Sequence, residues 1–120
     1  SYVSILNDCA YSIANHWANA RHLINDATRA DAIKRALDDG RPEEVFDGTE
    51  LLLMQYAEKL TRKPNEMRHS DIQGLRDAGV DDGQILEANQ IIGYFNYVNR
   101  CLNGLGVSTD GDIVGFYSEN

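Results

Sequence analysis

A chain of 120 residues is long enough for one compact domain with its own core, and short for two. At 42% hydrophobic and 25% charged residues it has the make-up of a folded soluble domain, not of a disordered segment. Nineteen acidic against eleven basic residues leave a net charge of -8, which repels phosphate backbones and anionic headgroups and argues against nucleic-acid and membrane partners.

Helical spacing recurs in every long segment, so the fold class expected is all-α, a single-domain helical bundle. Ile13, Trp17, Ala20 and Ile24 lie at steps of four, three and four, one stripe of a helix from about Cys9 to Asn25 that Asn7 or Asp8 would cap. Thr28 with Asp31 reads as a capping box for a short helix through Leu37, which Gly40 ends; Arg41 and Pro42 then form a loop. Thr49 opens a helix with Leu52, Leu53, Tyr56, Ala57 and Leu60 inside, ended by the approach to Pro64.

Ser70 with Gln73 and Asp81 with Gln84 give two more caps, separated by the helix stop Gly79. The second begins the longest helix, from about Asp82 to Asn103, with Ile85, Ala88, Ile92, Phe95, Val98 and Leu102 facing the core and Gly104 at its end. From Ser108 to Asn120 the periodicity stops, and a tail is expected on the surface or against a partner.

The aliphatic run Leu51–Met54 is far too short to cross a bilayer of ~30 Å. No secretory leader opens the chain. Cys9 and Cys101 do not form a dense disulfide framework, which favours a reducing, cytoplasmic setting. The first residue is Ser1 rather than Met, so the expectation is one domain over residues 1–120 that lacks upstream residues of the full chain.

One group of residues carries chemistry. Cys9, Ser12 and His16 are three and then four residues apart, and at ~100° per residue they share roughly a 60° sector of one helix face at the edge of the apolar stripe. A thiol in the first turn feels the positive end of the helix dipole, which favours the thiolate, and a histidine two turns on can take or return its proton.

The run Asn7-Asp8-Cys9-Ala10-Tyr11-Ser12-Ile13-Ala14-Asn15-His16 resembles the active-site helix of the alkylhydroperoxidase D-like and carboxymuconolactone decarboxylase superfamily, whose pattern is Cys-x-x-Cys-x-x-x-His. Three later stretches look like its uncharacterised peroxidase-related branch: Tyr56 to Thr61, Ser70 to Gly79, and Phe95-Asn96-Tyr97-Val98-Asn99-Arg100 with Gly104-Leu105-Gly106-Val107.

The resemblance implies an all-helical fold, self-association into a homo-oligomer, and reduction of a small-molecule hydroperoxide with a dithiol reductant or reductant protein, without a bound cofactor. In the family's peroxidatic members the second cysteine of the motif becomes the sulfenic acid and the first is proton donor and resolving thiol. Ser12 stands at that second position. A serine hydroxyl is not appreciably ionised near neutrality and has no oxidation ladder equivalent to that of sulfur, so turnover is expected to be lost or weak. The relay glutamate that family members carry about three helical turns before the first cysteine falls before Ser1.

The catalytic set implied is thus Cys9, Ser12 and His16. Two other readings stand beside it, a non-catalytic oligomeric helical scaffold and a carboxymuconolactone decarboxylase-like enzyme. Cys101 reads as core or interface filler, His22 as a solvated residue and His69 as loop. Tyr94, Phe95 and Tyr97 read as core and subunit contact; for Asn96, Asn99 and Arg100 the resemblance implies a structural hydrogen-bonding or interface role, while their polar groups could equally face water. The four-ligand cluster that zinc requires is absent from the sequence, so no metal is expected.

Overall fold

Six α-helices follow one another in the computed structural model, which describes residues 1–117. They are α1 (Tyr2–Leu6), α2 (Ala10–Ile24), α3 (Ala27–Asp38), α4 (Gly48–Arg62), α5 (His69–Asp77) and α6 (Asp82–Leu105), with single 3-10 turns at Pro42–Glu44 and Pro64–Glu66. Among the described residues there is no strand, and the all-α expectation holds.

The longest helix follows its sequence signals most closely. Asp81 accepts the Gln84 amide at 2.8 Å, and the Gln84 side chain accepts the Asp81 amide at 3.1 Å, a reciprocal cap that satisfies two otherwise orphaned donors. Its end differs from the expectation by half a turn. The left-handed residue is Gly106 (φ 64°), not Gly104, because the Gly106 and Val107 amides close onto the carbonyls of Asn103 and Leu102.

Other caps shift for local reasons. Asp26, not Thr28, caps α3 by accepting the Arg29 amide at 3.0 Å; a carboxylate just after the left-handed Asn25 reaches the first turn before threonine can. Asp47 rather than Thr49 precedes α4, and Gly48 enters the helix with φ 53°. Helix α5 opens at His69 instead of after Ser70, because the Asp71 carboxylate folds back onto the Arg68 amide at 2.7 Å. His69 is therefore in a helical turn, not a loop.

Helix α1 was not anticipated from the sequence, and the packing is built around it. Three successive residues, Tyr2, Val3 and Ser4, are all buried. Val3 joins one apolar cluster with Tyr56, Ala57, Leu75, Val80, Ile85 and Ile92. Tyr2 joins a second with Ile33 and Leu37, against which Trp17 and Ile24 of α2 pack. A helix covered on every side by α2, α3, α4 and α6 needs no polar face of its own. The Tyr2 hydroxyl donates to Glu58 at 2.9 Å and ties α1 to α4; burial first, and then this carboxylate, hold its phenol protonated well above the usual range.

The tail is partly anchored. The amides of Gly115 and Phe116 donate to the side-chain oxygens of Asn15 and Asn19 at 3.0 Å and 2.6 Å, and Tyr117 stacks on His22 at 4.2 Å. His22 is exposed as expected, but it carries a partner. Residues 118–120 of the expected tail lie outside the described residues.

The reciprocal cap of α6 gives a direct check. Asp81→Ala is expected to cost about 1 kcal/mol of unfolding free energy, read as a shift of the urea midpoint without a change of slope.

Candidate functional site

The turn between α1 and α2 places the first candidate residue. Asp8 takes a left-handed backbone (φ 49°), the Cys9 amide donates to the Ser4 carbonyl at 3.0 Å, and the Cys9 carbonyl accepts the Ile13 amide at 2.9 Å. Cys9 itself is thus the residue that caps α2, in place of Asn7 or Asp8, and its side chain makes no cap hydrogen bond. The reason is that the Asn7 side chain is drawn to α6, where it donates to Asn96 and Asn99 at 3.0 Å and 3.1 Å. The Cys9 thiol is free and 0% exposed.

One turn further, Ser12 is 2% exposed, and its hydroxyl lies 2.8 Å from that of Ser4. His16, another turn on, is half-buried, with its ring edge-to-face against Phe95 at 4.7 Å. Burial lowers the pKa of His16 below its ordinary value, and the ammonium of Ser1 lowers it further; a neutral ring is what an apolar flank favours. Cys9 and Ser12 are both sealed at the start of α2. No side-chain hydrogen bond joins Cys9, Ser12 and His16 to one another among the described residues; the Ser12 hydroxyl is paired with that of Ser4 instead.

That serine pair is one end of a larger polar network. The Asn99 amide nitrogen donates to Ser4 Oγ at 3.2 Å, and the Asn99 oxygen accepts from Asn7. Asn96 donates to Thr61 Oγ1 at 3.1 Å and accepts from Arg100 at 2.9 Å, and Asn103 donates to the Asn7 carbonyl at 3.1 Å. Asn99 is 0% exposed, and among the described residues no buried side-chain nitrogen or oxygen lacks a partner. Of the two readings left open for Asn96, Asn99 and Arg100, the structure shows the hydrogen-bonding one, with Arg100 also exposed. Ser4, Asn7 and Thr61 were missed. A signal for them existed in Asn96, Asn99 and Asn103, whose steps of three and four put three amides on one face of α6.

The other sequence candidates separate from this centre. Cys101 is exposed, not core filler, because it lies on the side of α6 away from Ile92 and Asn99. Phe95 packs against the core as expected, whereas Tyr94 and Tyr97 are exposed. A groove of about 660 Å³ runs between α2, α3 and α4, lined by Tyr2, Trp17, Ile33, Leu37, Phe46 and Met54 among others. Cys9, Ser12 and His16 do not line it. Among the described residues, no three His, Cys, Asp or Glu side chains gather as metal ligands, and no helix is long and apolar enough to cross a membrane.

Among solved structures, the chain is similar to an uncharacterized peroxidase-related protein from Silicibacter sp. TM1040, with a TM-score of 0.76 and 27% sequence identity over 89% of this chain. The match covers 54% of that protein, so the chain spans about half the length of its structural relative. No protein-family model and no curated protein matches the chain. The helical fold described above is therefore similar to that of this peroxidase-related protein.

Burial orders the two thiols. An alkylating probe followed by peptide mass mapping is expected to label Cys101 at the rate of an accessible thiol and Cys9 at least about tenfold more slowly until denaturant is added; equal rates would contradict the burial of Cys9. The histidine gives a pH prediction. Because its folded-state pKa lies below the ordinary value of 6.5, the unfolded chain takes up the proton first on acidification. The stability contributed by the neutral ring is complete above 6.5 and is lost as the pH falls through 6.5 towards the folded-state pKa. Urea unfolding at roughly pH 7.5 and pH 5.5 should therefore show a larger acid loss for the wild type than for His16→Gln.

Proposed function

We propose that this chain is a peroxidase-related thiol-oxidoreductase scaffold of the alkylhydroperoxidase D-like type, with Cys9, Ser12 and His16 at the positions of a Cys-x-x-Cys-x-x-x-His site. The observation that carries the reading is the likeness to a peroxidase-related protein, 27% identical with a TM-score of 0.76, in a chain with Cys9, Ser12 and His16 spaced along the start of one helix.

In such a site a thiolate attacks the terminal oxygen of a hydroperoxide. The O–O bond breaks, the alcohol leaves with a proton, and the sulfur becomes a sulfenic acid. A second thiol then displaces water to form a disulfide, which a dithiol reductant returns to two thiols. In this chain Cys9 is the proton donor or residual thiol and His16 the acid–base group. Ser12 holds the nucleophile's place with an oxygen that is neither ionised near neutrality nor able to enter the sulfenic step. The sequence as it stands lacks the relay, and hydroperoxide turnover is lost or weak. Self-association and a cytoplasmic setting belong to the same proposal.

A second reading, a non-catalytic oligomeric scaffold, is favoured by one specific observation: the Cys9 thiol is sealed and the Ser12 hydroxyl is already engaged by Ser4. On that reading the exposed apolar side chains of α6, such as Tyr94, Tyr97 and Leu105, serve contact between copies. Hydroperoxide consumption with a dithiol reductant separates the two. Ser12→Cys is expected to raise consumption at least about tenfold over the wild type, since it restores the ionisable sulfur. A folded Ser12→Cys protein as inert as the parent would overturn the peroxidase reading and leave the scaffold.

A further inference from the structure

The direction of each hydrogen bond between α1 and α6 is fixed by its neighbours. Asn7 gives its two amide protons to the side-chain oxygens of Asn96 and Asn99. The Asn99 oxygen is thereby the acceptor, so its nitrogen must face the other way, and it donates to Ser4 Oγ at 3.2 Å. A Ser4 oxygen that already accepts an N–H has its own proton free to give. The hydroxyl within its reach is Ser12 Oγ at 2.8 Å. Two donors in series, Asn7 and Asn99, thus lead to the Ser4 hydroxyl beside the side-chain atom at position 12, and in a buried setting each bond polarises the next.

From this we infer that Ser4 is the hydrogen-bond donor to the side-chain atom at position 12, and that Asn99 is the positioning residue that turns the Ser4 proton onto it. The inference rests on the reading above that position 12 is the nucleophile's place, and it adds a group outside the Cys9, Ser12 and His16 set. When the atom there is sulfur, a buried hydroxyl aimed at it stabilises the anion over the neutral thiol, because a donor interacts more strongly with a charged acceptor. Ser4 and Asn99 are both 0% exposed, so water does not substitute for the missing donor when either is removed. The neighbouring titratable groups are Asp8, Cys9 and His16 around the start of α2, the Ser1 amino group on α1, and Arg100, which reaches the network through Asn96. All of them remain in every variant below.

The test is an ultraviolet thiolate titration of Ser12→Cys, taken as a difference against the parent chain so that Cys9 and Cys101 cancel. Adding Ser4→Ala is expected to raise the pKa of the introduced thiol by about one unit, a tenfold smaller thiolate fraction at any pH below it. Adding Asn99→Asp instead, which gives Ser4 a carboxylate to donate to, is expected to raise it as well, and this serves where Ser4→Ala does not fold. An unchanged thiol pKa in a folded variant overturns the inference. The readout needs no turnover, so a Ser12→Cys protein that is inert towards hydroperoxide yet shows the shift sinks the peroxidase reading alone.

Discussion

A five-residue helix has too few internal hydrogen bonds to persist by itself, and the organisation of this protein depends on what holds α1 in place. Tyr2 and Val3 commit its apolar sides to two different clusters. Its polar side is held by a chain of side-chain hydrogen bonds from Asn7 through Asn99 to Ser4 and on to Ser12. A buried amide or hydroxyl deprived of its partner costs about 1–3 kcal/mol, so these groups have one arrangement in which all are satisfied. That arrangement fixes where α2 starts, since the Cys9 amide bonds to the Ser4 carbonyl, and it fixes the Ser12 hydroxyl beside Ser4.

The parts legible in the sequence were those with long periodicity and self-contained caps. Helix α6 is the clearest, with Asp81 and Gln84 bonded as expected and Ile85, Ile92 and Phe95 turned to the core. Helix α4 likewise packs Leu52, Leu53, Tyr56, Ala57 and Leu60 inward. Helix α1 was illegible because a single turn is too short to show a period, and because a helix surrounded on all sides has none to show. The caps at Thr28, Thr49 and Ser70 were misplaced where an aspartate nearby competed for the same amides or opened the chain earlier. Cys101 illustrates a different limit, since composition favours burial for cysteine while the rotation of α6 puts this one outside.

For the candidate site, the spacing of Cys9, Ser12 and His16 placed the three along the first half of α2, with Cys9 and Ser12 buried and His16 half-buried. What spacing along one helix could not show was the far side of the site. Ser4, Asn7 and Asn99 come from elements up to 95 residues apart in sequence, and only the packing of α1 against α6 brings them to Ser12. The consequence for function is a division of labour. The likeness to a peroxidase-related protein, over about half of that protein's length, supports the helical scaffold. On the proposed reading, the local chemistry is set by the atom at position 12, where oxygen shares a hydrogen bond with Ser4 and sulfur would also ionise.

The central claim is that Asn7, Asn99 and Ser4 act as one coupled unit rather than as separate surface-filling groups. A double-mutant cycle on unfolding free energy with Asn7→Ala, Asn99→Ala and the double variant tests this most directly. Coupling of more than about 0.5 kcal/mol between the two sites is the result the account predicts, because the second truncation removes a partner that the first has already orphaned. Additive losses would contradict it and would mean that the position of α1, and with it the site, is held by the apolar clusters alone.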